Sequence, residues 1–212
     1  MRRVSATRSE LLARRARIGL ATQGRDLLKE RRSALVHEFH RLGASALESI
    51  DQLDRDAADA SRQLGLAVAA AGPEPVASAA FAAQGEVELS VRTRSVAGVG
   101  IVEIDKATVA RARTARGYSL AATGARIDAV AERFETVLEK LLDVAALELS
   151  IRRLADEIAR TTRRMNALEH VVLPALETER AHIALVLEER EMEDRVRLRR
   201  ARSTRSHAGA RA

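Results

Sequence analysis

The sequence predicts a mainly α protein: a long antiparallel two-helix left-handed coiled coil formed by N- and C-terminal helices, with a central insert containing a short β-hairpin. Three observations predict it. The 212 residues are 31% charged and 46% apolar but only 2% aromatic, with no Trp and one Tyr (Tyr118). The apolar share is mostly Ala, Leu and Val, which suits long helices better than a core filled by aromatic side chains. Apolar residues recur at gaps of 3, 4 or 7 over two long segments, the signature of a helical seam. Between those segments a Gly/Pro break and a period-2 stretch interrupt the rhythm.

The first helix is read over residues 1–70. Thr7 and Glu10 fit a capping box, which satisfies orphan amides at a helix start. The seam then runs through Leu11, Ile18, Ala21, Leu28, Leu35, Phe39, Leu42, Ala46, Ile50, Leu53, Ala57, Ala60 and Leu64. Arg14, Arg25 and Arg32 are polar positions on the same stripe. Gly72-Pro73-Glu74-Pro75 ends it and opens an insert over 71–117, whose first part is Ala-rich. Within the insert Val87, Leu89, Val91 and Thr93 alternate with Glu88, Ser90, Arg92 and Arg94. Ser95 to Gly98 can turn, and Val99 to Asp105 returns as a second β-rich run, so 87–105 reads as a hairpin.

The second helix is read over 118–200. Its seam runs through Ile127, Val130, Phe134, Val137, Leu141, Val144, Ile151, Leu154, Ile158, Met165, Leu168, Val172, Leu176, Ile183 and Leu187. At about 1.5 Å per residue it would span roughly 120 Å, and the first helix supplies about 100 Å of partner. A 3.5-residue repeat implies a left-handed supercoil. Pro174 sits inside this seam, removes the amide bond to the carbonyl of His170, and predicts a kink. Residues 201–212 read as a basic flexible tail.

Charge is unevenly placed. The formal net is +6, yet residues 195–212 hold seven arginines (Arg195, Arg197, Arg199, Arg200, Arg202, Arg205, Arg211) and no acid, leaving the body near neutral. A balanced body does not suggest a nucleic-acid groove. The absence of Cys excludes a disulfide scaffold, a thiol nucleophile and a Cys-based zinc site. Arg2 and Arg3 are not followed by the apolar run of a signal peptide, and no uncharged stretch approaches the ~20 residues of a membrane span. The expectation is a cytoplasmic protein with no direct membrane insertion.

No catalytic constellation can be assembled. Gly98-Val99-Gly100 lacks the third glycine and following helix of a dinucleotide fingerprint, and hairpin geometry explains it better. There is no GxxxxGK[ST] phosphate loop. His37-Glu38-Phe39-His40 has its histidines three apart with the wrong residues between for a zincin. The expectation is no enzyme activity, no metal and no cofactor.

The run Ile158-Ala159-Arg160-Thr161-Thr162-Arg163-Arg164-Met165-Asn166-Ala167-Leu168-Glu169-His170-Val171-Val172-Leu173-Pro174 resembles the signature of the D subunit of V-type and archaeal-type (A-type) rotary ATPases. Leu187-Glu188-Glu189-Arg190-Glu191 is similar to the same family, as are Thr7-Arg8-Ser9-Glu10-Leu11 and, further on, Gly24, Leu27, Leu28 and Lys29. The stretch from Leu89 to Val99 is similar to the family's central insert. The Ala-rich 65–85, Gly100 and the Arg-rich tail depart from the pattern.

The resemblance implies a non-catalytic central-stalk rotor subunit, peripheral to the membrane within its complex. The paired termini would enter a head of catalytic A and B subunits. The other end, with the F subunit, would dock on the funnel-shaped C or d subunit above the membrane ring, coupling ATP synthesis or hydrolysis to proton or sodium transport. On that basis Arg8, Arg14, Arg15, Arg17, Arg190 and Arg195 are candidates to meet the head. Val87, Leu89, Val91, Val99 and Ile101 are candidates to meet the F subunit. Two other readings compete: a generic coiled-coil scaffold, which leaves Asn166–Pro174 unexplained, and a nucleic-acid-binding protein using the Arg tail, whose affinity would be strongly salt-dependent.

Overall fold

A computed structural model of the chain describes residues 5–85, 87, 89–105, 109, 111–119 and 123–209. Arg2, Arg3, Glu88 and Arg211 of the sequence reading lie outside them. Four helices and one hairpin make up the described chain: α1 (Arg8–Ala71), α2 (Pro73–Ala82), β1 (Ser90–Val96), β2 (Val99–Asp105), α3 (Ala125–Ala167) and α4 (Leu173–Gly209). A short 3-10 turn (Arg113–Ala115) precedes α3, and a π turn (Leu168–Val172) joins α3 to α4. The chain divides into two compact units, Met1–Arg32 with Arg160–Ala212, and Ser33–Ala159.

In the first unit, α1 begins where the cap signal places it. The Glu10 amide donates to Thr7 Oγ1 at 3.2 Å, and the Leu11 amide reaches the Thr7 carbonyl at 3.0 Å. Pairing with α4 is antiparallel: Arg8 meets Glu191, Arg14 meets Glu179, and Gly24 lies against Leu168. Ile183 (0% exposed) and Leu173 are buried on the α4 side. Leu173 takes the place expected for Val172, which is exposed. The π turn explains the exchange, because the Leu173 amide bonds back five residues to the Leu168 carbonyl and moves the seam on by one position. The wide turn sits directly before Pro174, whose ring would otherwise crowd the carbonyl of His170.

In the second unit, the rest of α1 runs antiparallel to α3. Leu35, Leu42 and Leu154 are buried together, with Phe39, Leu147, Ile151 and Ile158 packed around them. Further along, Lys140 is paired with Asp56, and Arg133 reaches Asp59 at 3.3 Å. The Arg41 guanidinium, hydrogen-bonded to Glu38, holds that buried carboxyl below its usual range, and Arg94 adds to the effect. Ile50, Phe134 and Leu141, read as seam residues, are exposed. Buried seam places are instead filled by the small residues Ala67, Ala146 and Ser150.

The chain leaves α1 at Gly72, whose φ of 85° only glycine adopts readily, and Pro73 opens α2 with its fixed φ. The Ala-rich stretch, given no element by the sequence reading, is this helix. The hairpin pairs Ser90 with Asp105 through to Val96 with Val99. Its two-residue turn holds Ala97 at φ 49° and Gly98 at φ 81°, the type I′ geometry that matches strand twist. Ala97 is the one costly residue there, since a left-handed conformation strains an L side chain. Ala97→Asn is expected to raise stability by about 0.5–1 kcal/mol, read as a higher urea midpoint at unchanged slope.

Two boundaries differ from the sequence reading. The C-terminal helical stretch starts at Ala125, not at 118, because Gly117 at φ 83° and Gly124 break the approach. It continues to Gly209, so 201–209 is helical where a flexible tail was expected. Arg and Ala favour helix there, and no Pro or Gly falls between residues 175 and 208 to stop it.

Candidate functional site

The end of the first unit near the termini gathers most of the arginines expected to meet a partner. Arg8 pairs with Glu191 at 2.6 Å and remains largely exposed. Its charge and hydrogen bond hold the Glu191 carboxyl below the ordinary range. Arg190 donates to the Ala6 carbonyl at 3.0 Å, and Arg195 lies 3.7 Å from Glu191. Arg15 and Arg17 are exposed and make no ion pair among the described residues. Arg14 is different: its side chain is buried at the seam, 2.6 Å from Glu179 and 2.8 Å from Glu10. Both carboxylates therefore engage the same guanidinium. A side chain so committed cannot meet an outside carboxylate without opening the unit. The exposed set is therefore Arg8, Arg15, Arg17, Arg190 and Arg195.

The hairpin likewise splits its candidates. Val99 and Ile101 are buried against Leu35, Leu42 and Leu154, so they anchor the hairpin and are not offered to a partner. Leu89 and Val91 are exposed, and Val87 is half-buried. All of β1 from Ser90 to Ser95 is exposed. The outer edge of β2 is tied to α3: the Val102 amide donates to Ser150 Oγ at 2.9 Å, and Arg153 donates to the Gly100 carbonyl at 3.2 Å. Ser150 was missed by the sequence reading. Its signal was the spacing of four from both Ala146 and Leu154, which puts it on the buried face of α3.

The second unit also holds an apolar cavity of about 610 Å³, lined by Leu64, Val76, Ala79, Val130, Phe134 and Leu138 among others. At its edge lies a buried ion cluster. Arg116 forms a fork on Glu135, with bonds of 2.9 and 2.7 Å, and pairs with the buried Asp128. Those bonds, the Glu135 ones foremost, raise the Arg116 pKa further still. Burial pushes the Tyr118 hydroxyl up, assisted by its hydrogen bond to Asp128. The cluster clamps the segment before α3 onto that helix. No sequence motif marked it, because Arg116 and Tyr118 lie in a stretch with no period, separate from Asp128 and Glu135 on α3.

The remaining motifs resolve into structure. His37 and His40 are exposed, and the His40 ring meets Phe39 edge-on at 5.9 Å. Glu38 between them is engaged by Arg41. Among the described residues no group of His, Asp and Glu is arranged to hold a metal ion, and no helix is long and apolar enough to cross a membrane.

Comparison with known proteins identifies the family. The family of ATP synthase D subunits matches residues 10–203. The V-type ATP synthase D subunit of Anaeromyxobacter dehalogenans is 42% identical over 203 residues, covering 96% of this chain and 97% of the relative. The A-type ATP synthase D subunit of Archaeoglobus fulgidus is 36% identical over 201 residues, covering 94% and 96%. That of Methanosarcina mazei is 36% identical over 200 residues, with the same coverage.

Proposed function

The chain belongs to the ATP synthase D subunit family, and from that premise we propose that it is the axle of the central stalk in a V/A-type ATP synthase. It transmits torque between the head of A and B subunits and the membrane ring, coupling ATP synthesis or hydrolysis to transport of protons or sodium. It does no bond chemistry itself. The observation that supports this reading best is the unbroken 64-residue α1, which has an antiparallel helical partner in both units. A helix resists unwinding because backbone hydrogen bonds along its axis tie each turn to the next, and a packed partner adds side-chain seams that must shear before it unwinds.

In this reading the first unit enters the head, where exposed arginines meet acidic loops. Exposed ion pairs are individually weak and exchange readily, which suits a surface that must turn past its surroundings. The hairpin seats the F subunit, with Leu89 and Val91 outward, and the funnel-shaped subunit takes the second unit's far end. Arg15→Glu with Arg17→Glu is expected to weaken assembly with the A and B subunits roughly tenfold. The helicity and melting of the isolated chain should stay unchanged. Full coupling of ATP turnover to ion transport in the doubly reversed enzyme would sink the head-contact reading. A pull-down from native membranes with a tagged chain tests the whole assignment: recovery of A, B and F subunits supports it, and recovery of nucleic acid alone contradicts it.

A further inference from the structure

The hairpin leaves one backbone edge open, and its phase can be worked out. In an antiparallel pair, residues alternate between those whose N–H and C=O groups point at the partner strand and those whose groups point away. The Val102 amide bonds to Ser150 and the Gly100 carbonyl accepts from Arg153, so both residues face away from β1. Their cross-strand partners are Thr93 and Ser95, and Val91 follows in the same phase opposite Ile104. The N–H and C=O groups of Val91, Thr93 and Ser95 therefore point outward from β1. All three residues are exposed, and no backbone partner is found for them among the described residues. On β2 two of the outward groups, the Val102 N–H and the Gly100 C=O, are taken by side chains of α3, whereas no such bond is found along the β1 edge among the described residues.

We propose that β1 is a template for strand addition, taking an extended segment of another subunit with acidic residues opposite Arg92 and Arg94 and an apolar residue opposite Val91. This rests on the reading of the hairpin as the seat of the F subunit. Strand addition draws its affinity from main-chain bonds and its specificity from alternate side chains. The charges argue for a different chain over a second copy. Antiparallel self-pairing about Thr93 would set Arg92 against Arg94 of the other copy, and like charges directly opposite are unfavourable. Arginines on an exposed edge strand also discourage indiscriminate pairing. The Arg94 side chain already bridges Glu103 at 3.2 Å and Glu38 at 3.6 Å, so this edge is held in place before any partner arrives.

The test is amide hydrogen exchange, resolved to single residues, on the full chain alone and with the F subunit of the same host. The amides of Val91, Thr93 and Ser95 should exchange freely in the free chain and slow about tenfold or more on binding. Those of Arg92 and Arg94, already bonded to β2, should change much less. Thr93→Pro removes one outward donor at a place where an edge strand tolerates proline, and should weaken binding about tenfold. Thr93→Val keeps the donor and should bind as the unmodified chain does. If Thr93→Pro loses the Arg92 and Arg94 protection in its free form, the exchange pattern of the unmodified chain decides. Binding that depends on residues 90–105 but leaves the three amides unslowed overturns strand addition and keeps the seat. Unchanged affinity after deletion of 90–105 overturns both. A chain that dimerises through these amides shows a second copy on the edge and overturns the proposal as well.

Discussion

Replacing Arg116 with methionine should destabilise the second unit by about 3 kcal/mol or more, because removing one partner of a buried ion cluster leaves its carboxylates uncompensated. The guanidinium is almost wholly buried and serves two carboxylates at once, Glu135 through a two-pronged contact and Asp128 at the start of α3. Methionine fills much of the volume but offers no donor. Lysine should restore only part of the loss, since a single ammonium cannot reproduce the fork. Urea unfolding of the variants checks this. A midpoint for Arg116→Met equal to that of the unmodified chain would mean that water reaches Asp128 and Glu135, and that the clamp contributes nothing.

Leu154→Ala should cost about 3 kcal/mol. Leu154 is 0% exposed and meets Leu35 and Leu42 of α1 as well as Val99 and Ile101 of β2, so truncation opens a cavity between two helices and the hairpin. Leu141→Ala, on the same helix but half exposed, serves as the comparison and should cost well under half as much. Similar losses for the two would mean that α3 is held by general apolar coverage and not by this cluster. A lowered midpoint at unchanged slope is the expected form of the result.

Much of the helical architecture was legible because it follows from local rules. Thr7 with Glu10 marks the start of α1, and Gly72-Pro73 marks its end, through capping and backbone constraints that act within a few residues. The hairpin was legible from alternation and from a turn containing Gly98. The seam was legible only in part. Stripe counting favours large apolar residues, whereas close helix contact is also made by small ones, so Ser150 and Ala146 were passed over while exposed Phe134 was included. Arg14 did appear as a polar seam position, but its burial between Glu10 and Glu179 depends on a helix more than a hundred residues away. The Arg116 cluster was illegible for the same reason, being assembled from an irregular segment and from residues on one face of α3. Val172 was misplaced because a constant 3.6-residue period cannot anticipate a π turn. As for the candidate surfaces, the sequence indicated which arginines and which hairpin residues to consider. It could not tell that Val99 and Ile101 face inward, since that depends on packing against Leu35, Leu42 and Leu154, which lie more than fifty residues away along the chain.

The π turn before Pro174 has a bearing on how this chain can change length. A π turn is an α turn with one residue to spare, so α3 and α4 accommodate an insertion without interrupting the helical path. Such sites tolerate the gain or loss of a single codon, where the same event elsewhere in a paired helix would rotate every following side chain by about 100°. Loss of one residue between Leu168 and Leu173 would restore ordinary spacing between those two leucines. The proline would then press on the carbonyl four residues before it with no slack to absorb the contact. Length and proline are thus linked, and an alteration in one is best tolerated alongside an alteration in the other.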